Sequence, residues 1–578
     1  MNTDYEARPP CGGDTGRGAA ALLCAAALTL CAVAPERLWA QQVPNAGRLL
    51  QESTPQPQRP PAAAPRIESV PQPAATPPAP ASSASFRLDG VRFRGNTVFG
   101  NEELAAYFRD RVGKQVNLRE LEETAAQITK AYRDRGYFLA QALVPAQEIV
   151  GGVVEVSVVE GTLGKLRLVR AEGVSVDEPV IRRYLAAVRP GEPLTEQALE
   201  RTMLLLSDLP GVSFQSTLEE GEEPGTVDLV IDVSEGRRFL SQVELDNFGL
   251  DSSGLYRLGG GVRIANPFGR GDNLDVRALV TSASHTVFGR ISYETPIGGN
   301  GTRVGVGFSS LAYSLGAPFN ELGAEGYARV LDASVLHPFR RTRTSTLLGM
   351  LQVQRKWVED RYDAIGFTAP RDILDLVGGV TYDHRDQWLG GGFVNLGATL
   401  TLGNVDVGST EARDLDSGPA GRNTEGSFTK LNFTLSRLQA VSGNWTLFGA
   451  LAGQMASKNL DNAERMGLGG PRAVRAYSTG SLVADEGLVA TAEVRYSLNP
   501  DLTLSLFYDH GWSRVNRDPI QSVTDNSPSI GGYGIGFFWG KARNFQIQGS
   551  VAWRSTDPIP GDTTEHTPMV YVQGVKFF

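Results

Sequence analysis

The sequence predicts a transmembrane antiparallel β-barrel of about 16 strands, preceded by two small α+β modules. Three observations lead there. The N-terminus reads as an export signal, yet no later segment is long and apolar enough for a membrane helix. A strand–helix–helix–strand–strand order occurs twice between residues 86 and 237. From about Arg238 the helical periodicity vanishes, and alternating strand-like runs separated by Gly, Asn, Asp and Ser continue for about 340 residues.

Residues 1–40 form the expected signal peptide. Arg8 and Arg17 precede the apolar run 19–33, and cleavage is expected near Ala40 in "RLWAQ". The run falls short of the roughly 20 residues a membrane anchor needs. A lipoprotein signal is disfavoured because Leu30 before Cys31 is bulky. Cys11, Cys24 and Cys31 all lie in this segment, so a processed chain has no disulfide framework, thiolate metal site or cysteine nucleophile. A net charge of -9 argues against nucleic-acid binding. Export without cysteine suits the envelope of a Gram-negative bacterium. A chain resident in lipid must then close its sheet, because lipid cannot satisfy open backbone groups.

Residues 41–53, with the stretch "VPNAGRLLQE", predict a short helix. Residues 54–85 are rich in Pro and Ala, a composition that builds no core and has reach. The first module spans 86–161: a strand "FRLDGVRFRG", a helix "NEELAAYFRDRV", a second helix from Leu118, then strands "FLAQALVP" and "GGVVEVSVVEG". Asn117 and Glu120 have capping-box spacing, and Leu121, Ala125, Ile128 and Tyr132 share one helical face that Gly136 ends. The second module, 162–237, repeats the order with "LGKLRLVRAEG", "DEPVIRRYLAAV", "LTEQALERTMLLLSDL", "VSFQSTLEEG" and "GTVDLVIDVSEG". Such modules expose strand edges, which are templates for another extended chain.

In residues 238–578 the alternation assigns faces. In "DLTLSLFYD", Leu502, Leu504, Leu506 and Tyr508 oppose Thr503, Ser505, Phe507 and Asp509. In "TAEVRYSL", Val494 and Tyr496 oppose Glu493 and Arg495. A soluble sandwich also alternates, but a single soluble domain of this length is unusual. A barrel turns the apolar row to outer-membrane lipid and the polar row inward. At roughly 20 residues per strand and loop, about 16 strands result, and their lumen must be filled or plugged.

The long connection at about 456–486 carries "GGPRAVRAYSTG", with two arginines and no acid. Folded inward, Arg475 can reach an inward acid: Asp509, with Glu493 and Arg495 as further lumen partners. A planar guanidinium binds a carboxylate bidentately, and the pair gains strength where screening is weak. The alternative is a solvated surface loop. No His is followed by the zinc-protease pattern, and neither Gly-x-Ser-x-Gly nor a phosphate loop occurs, so no catalytic residue, cofactor or metal is expected. The five histidines read as loop or lumen residues, and Asp383 and Asp386 in "YDHRD" as structural.

Val474-Arg475-Ala476-Tyr477 after Gly469-Gly470-Pro471, with Phe507-Tyr508-Asp509, resembles the Val-Arg-Gly-Tyr loop tip and Phe-x-Asp strand of TpsB transporters. These serve two-partner secretion, include haemolysin secretion/activation proteins, and belong to the BamA-related superfamily. The hairpin "DNFGLDSSGLYRLGGGVRIANPFGRGDNL" and the module segment "GYFLAQALVPAQEIVGGVVEVSVVEG" resemble the same family. The resemblance implies that residues 86–161 and 162–237 are POTRA domains in the periplasm and that 41–53 is a plug helix. It also implies a monomeric outer-membrane pore whose partner is a large secreted exoprotein with an N-terminal secretion domain. A BamA/TamA-like assembly factor is the alternative. Ala476 stands where the family commonly has glycine; a left-handed backbone there would cost alanine about 1 kcal/mol.

Overall fold

The computed structural model describes residues 43–53, 67–68 and 85–578, apart from positions 522, 524, 558 and 560–566. The signal peptide, all three cysteines and His566 lie outside the described residues.

In the first module the long amphipathic helix Leu118–Asp134 starts at Asn117, whose side chain accepts from the Glu120 amide while Glu120 caps back onto Asn117. Its buried face, Leu121, Ala125, Ile128 and Tyr132, packs on Val154, Val156 and Val158 of the strand Val153–Val159. The sheet order is Gly90–Arg94, Val153–Val159, Gln141–Leu143. The single first strand expected at 86–95 is in fact two. Ser85–Arg87 pairs with Gln115–Asn117, and Gly90–Arg94 joins the main sheet. Asp89 turns the chain between them, its amide donating to the Gly152 carbonyl.

Glu160 anchors this module. It accepts from the Thr97 and Val98 amides at 2.7 and 2.9 Å, from the Tyr132 hydroxyl at 2.8 Å and from the Thr97 hydroxyl. Burial alone would raise its pKa, but these donors outweigh it and hold the carboxyl below its ordinary value. A depressed folded-state pKa stabilises above the unfolded value, about 4.3, and that stability is lost as pH falls through the folded value. Glu160→Ala is therefore expected to cost about 3 kcal/mol at neutral pH, because it strands buried donors, and much less under strong acid. Amide exchange across 86–161 in the intact protein reads both effects.

The second module orders its sheet Ile67–Glu68, Val212–Glu220, Thr226–Glu235, Thr162–Arg170. Helices Glu178–Leu185 and Glu196–Ser207 cover one face, the latter capped by the Thr195 hydroxyl.

Sixteen antiparallel strands then close into a barrel, from Phe239–Asp246 to Met569–Phe577. The closing seam pairs only Gln242–Asp246 with Gln573–Phe577. The outer rows are apolar and exposed: Leu504, Leu506 and Tyr508 on one strand, Leu351 and Val353 on another. The inner rows carry Asp332, Asp360, Asp375, Glu493 and Asp509, all buried. This is the pattern of a barrel in lipid around a polar lumen. Three histidines depart from the loop-or-lumen expectation. His337, His384 and His510 sit on outward rows beside Phe339, Tyr382 and Trp512, in the aromatic zones at the barrel ends.

The second module touches one barrel end only. The Asp177 amide donates to the Gly269 carbonyl, Arg341 forks onto Asp208 at 2.8 and 2.9 Å, and Arg201 reaches the Pro338 carbonyl. All of these partners lie in turns or strand ends on that side, which fixes the barrel's orientation relative to the modules.

Candidate functional site: the lumen loop and the plug

The connection between strands Trp445–Ala456 and Glu486–Asn499 folds into the lumen. A two-residue pairing of Met466–Gly467 with Val483–Ala484 closes its base. Gly470 supplies a positive φ of 122°, and the Val474 amide donates back to the Leu468 carbonyl. Ala476 does not adopt a positive φ, so the strain a glycine would relieve does not arise. Its methyl lies where Gly532 on the wall leaves room: a Cβ there would meet the Ala476 Cβ at 2.3 Å.

At the tip, Arg475 sits on Asp509. Its Nε and Nη2 donate to the two carboxylate oxygens at 2.7 and 2.8 Å, and its backbone amide adds a third bond at 3.2 Å. Its Nη1 lies 2.8 Å from Glu493, and Arg495 takes the other Glu493 oxygen at 2.6 Å. The guanidinium stacks 3.4 Å from the centre of the Phe507 ring. Two acids thus face two arginines, so the cluster is neutral. Strand pairing explains how the acids meet: Thr491 lies opposite Asp509 and Glu493 opposite Phe507, all on the inner face. Asp509 is fully buried and also accepts from the Thr491 hydroxyl. Val474 and Tyr477 are buried with Leu468, Phe507, Ile530 and Ala552. The Tyr477 hydroxyl meets the Thr556 hydroxyl at 2.9 Å, and the Tyr571 hydroxyl donates to the Tyr477 carbonyl.

Charges that sequence reasoning missed pin the loop's base. Glu464 pairs with Lys430 at 2.7 Å and with Lys356, which also holds Asp375 at 2.8 Å. Asp485 pairs with Arg422 at 2.6 Å and with the buried Arg465 at 3.1 Å. Arg371 bridges Asp461 of the loop and Asp360 of the wall. The inward parity of Lys356, Asp360, Arg371, Asp375 and Lys430 was readable from the alternation, but their partners depend on how the loop curls.

The helix Ala46–Ser53 also lies in the lumen. Asn45 caps it by accepting from the Arg48 amide, and the Ala46 amide donates to Asp360 at 2.9 Å, beside the Tyr313 hydroxyl at 2.6 Å. Ala46, Leu49 and Leu50 pack on Leu311, Tyr313 and Val330 of the wall. Gln51 donates to the Ala463 carbonyl and Arg257 to the Glu52 carbonyl. Arg257 also forks onto Asp246, which takes Gln573 across the closing seam. Gly47 allows the helix to lie against the loop, since a Cβ there would stand 2.5 Å from that of Ala463. Gly47→Leu is expected to push the helix off its seat and raise spontaneous channel openings several-fold in planar bilayers.

A cavity of about 320 Å³ opens beside the loop tip, lined by Arg475, Glu493, Arg495, Ser505, Gln548 and Tyr571. Its lining mixes these polar groups with Phe248, Phe537 and Phe538. Among the described residues no cluster of His, Cys, Asp and Glu could hold a metal ion.

The family model for haemolysin secretion/activation protein ShlB/FhaC/HecB matches residues 225–538, more than half the chain. The chain belongs to this family. The transporter's first module, residues 86–161, matches the ShlB-type POTRA domain. It is 30% identical over 465 residues to the heme/hemopexin transporter protein HuxB of Haemophilus influenzae (strain 86-028NP), covering 79% of this chain and 81% of that protein. It is 23% identical to the outer membrane transporter CdiB of Dickeya dadantii (strain 3937), covering 68% and 69%. In fold it is similar to CdiB from Escherichia coli, with a TM-score of 0.66 at 20% identity over 88% of this chain and 93% of that one. CdiB from Acinetobacter baumannii gives 0.60 at 15% identity over 97% and 98%. The transporter is thus an outer-membrane β-barrel of the two-partner secretion type with its POTRA domain in the periplasm. The barrel end that touches the modules is the periplasmic end.

Proposed function

We propose that the transporter exports one large exoprotein of the haemolysin or adhesin type, recognised in the periplasm through its N-terminal secretion domain. The observation that carries this reading is the plug: a short helix in the lumen, joined to the modules only through residues 54–85. A permanent seal needs no such tether; a removable one does. The client arrives unfolded and adds a strand to an unpaired POTRA edge, such as Gln141–Leu143 or Thr162–Arg170. It then threads the lumen while the helix withdraws, and its folding outside supplies direction. The barrel works as a monomer, with no cofactor and no bond chemistry of its own. Deleting the transporter gene is the test. The large exported protein encoded beside it should vanish from the medium and cell surface, while other outer-membrane barrels stay at their usual levels. Loss of those barrels would instead favour the assembly-factor reading.

A further inference from the structure

A barrel in lipid keeps its charges on the inner rows, and one outer row departs from that pattern. Arg329 lies on the strand Ala324–Arg341, between the buried, inward Ala328 and Val330 and in one row with the exposed Leu331 and Val335. Its side chain is on the lipid side. Register sets it in a lateral row: Gly289 opposite Ser310, Ser310 opposite Arg329, Arg329 opposite Trp357. The Arg329 guanidinium lies 4.7 Å from the centre of the Tyr327 ring. It has no hydrogen-bond or ion-pair partner among the described residues, and neither has the Ser310 hydroxyl beside it. The nearby acids are already engaged. Glu359 accepts from the Tyr327 hydroxyl at 3.1 Å. Asp372 takes the fork of Arg355 at 2.7 and 3.1 Å, and that guanidinium lies 5.3 Å from the Trp357 ring. Beyond Ser310 the row is open, since a Cβ on Gly289 would meet only the Arg277 carbonyl oxygen, at 3.9 Å.

Height decides what this cation meets. The strand climbs from Arg341, which is bound to the second module at the periplasmic end. His337, in the lower aromatic zone, and Arg329 are eight positions apart. At about 3.3 Å per residue and a tilt of about 40°, that is about 20 Å of height, most of an apolar band of about 25 Å. Arg329 stands near the outer border of the lipid, flanked by Tyr327 and Trp357, ring types suited to that border. The four strands from Ala324 to Val407 have 16 to 20 residues, against 8 and 9 in Phe239–Asp246 and Arg257–Ala265. This side of the barrel therefore continues well above the border.

An unpaired guanidinium at this height faces the headgroups of the outer leaflet, which in a Gram-negative outer membrane are phosphorylated glycolipids. We infer that Arg329, Ser310, Tyr327 and Trp357 form a binding site for the phosphate of one outer-leaflet glycolipid. A planar guanidinium forks onto two phosphate oxygens, and the adjacent hydroxyl donates to a third. The rings exclude water from one side, so the ion pair is weakly screened. Phe308 and Leu331, paired and exposed below the row, offer an apolar surface to the acyl chains. The bound headgroup fixes the height of the long-stranded side in the leaflet.

The test uses the full-length protein in detergent micelles, with diphosphorylated lipid A and its dephosphorylated form as probes, and native mass spectrometry to count bound lipid. The unaltered protein should bind the phosphorylated form at least tenfold more tightly. Arg329→Gln should lose that preference, Ser310→Ala should lose part of it, and Arg329→Lys should retain part of it. Arg385→Gln removes one positive charge from the inward row of the strand Phe367–Asp386, opposite Phe393, and should change nothing. Heat-shifted mobility verifies that each barrel is folded. Equal binding of the two lipids by the unaltered protein, or an undiminished preference in Arg329→Gln, overturns the site. An equal loss in Arg385→Gln would reduce it to net charge, and displacement of the lipid by inorganic phosphate would make it a site for the free ion; either result overturns the assignment to lipid.

Discussion

Arg475→Ala is expected to reduce export at least tenfold while the barrel still inserts in the outer membrane. Asp509 and Glu493 are buried, and Arg475 is the cation that binds both, through two oxygens of one and one of the other. Removing one member of a buried pair strands the other charge, at about 3–5 kcal/mol. Arg495 already engages Glu493, so it can shield that acid but leaves Asp509 without a fork. The loop has the cheaper escape: its tip lifts, water enters, and the acids are hydrated. Protease sensitivity at 469–480 should therefore appear in the variant, alongside normal surface levels and normal heat-shifted mobility of the barrel. Asp509→Ala should act in the same direction, because it strands Arg475 over Phe507. Asp509→Asn should do less damage, since its one amide oxygen, placed at the Oδ2 position, still accepts from the Arg475 amide and Nε, while the bond that Oδ1 takes from the Thr491 hydroxyl is lost. Arg475→Lys should fail nearly as fully as alanine, because one ammonium cannot span two carboxylates and stack on a ring. The double variant R475A/D509A should be less than additive, as neither partner is left unpaired. Unimpaired secretion by Arg475→Ala with a protected loop would defeat this role.

The barrel was legible because lipid imposes a strict parity. Once Leu504, Leu506 and Tyr508 are outward, Asp509 must be inward, and with it Glu493 on the neighbouring strand. That parity, with the loop motif, is enough to bring Arg475 and Asp509 together on paper. It is not enough for the loop's base. Lys356, Arg371 and Lys430 fall on inner rows, Arg422 lies in a connection between strands, and choosing their partners among Asp461, Glu464 and Asp485 requires the curl of a loop that no periodicity governs. Parity also corrects the histidines: His510 shares its row with Tyr508 and Trp512, so it faces outward. At the tip, the concern over Ala476 placed the left-handed residue wrongly. The turn takes its positive φ at Gly470 and Gly480, and Ala476 is buried for its small size against Gly532. The split first strand of the POTRA domain was hidden for a simpler reason. The apolar phase slips by one between Phe86, Leu88 and Val91, Phe93, which in sequence reads equally well as a bulge in one strand, and only the pairing partners separate the two.

Deleting residues 43–53 is expected to turn a quiet barrel into a conducting one, with conductance rising several-fold and cells becoming sensitive to antibiotics too large for ordinary porins. The loop should stay in place. Its acids Asp461 and Glu464 are held by wall cations, Asp485 by Arg422 of a neighbouring connection, and its tip by Asp509; of all these anchors the helix shares only Asp360, which keeps Arg371 and Tyr313 when the helix is gone. The helix itself is held more weakly. Leu49 and Leu50 contribute about 1.5–3 kcal/mol each by burial, and its polar contacts are few and mostly to backbone groups. Against this stands the cost of ordering about 8 residues, roughly 1 kcal/mol or more apiece. The balance leaves a plug close to the point of release, whereas freeing the loop means uncovering several buried charges at once. On the proposed export reading, the element on the tether is the one expected to move, with the loop as the fixed guide. The deletion should therefore raise conductance without exposing 469–480 to protease, the opposite of Arg475→Ala. A deletion variant that stays closed would mean that the loop alone seals the lumen, and the helix would lose its place as the gate.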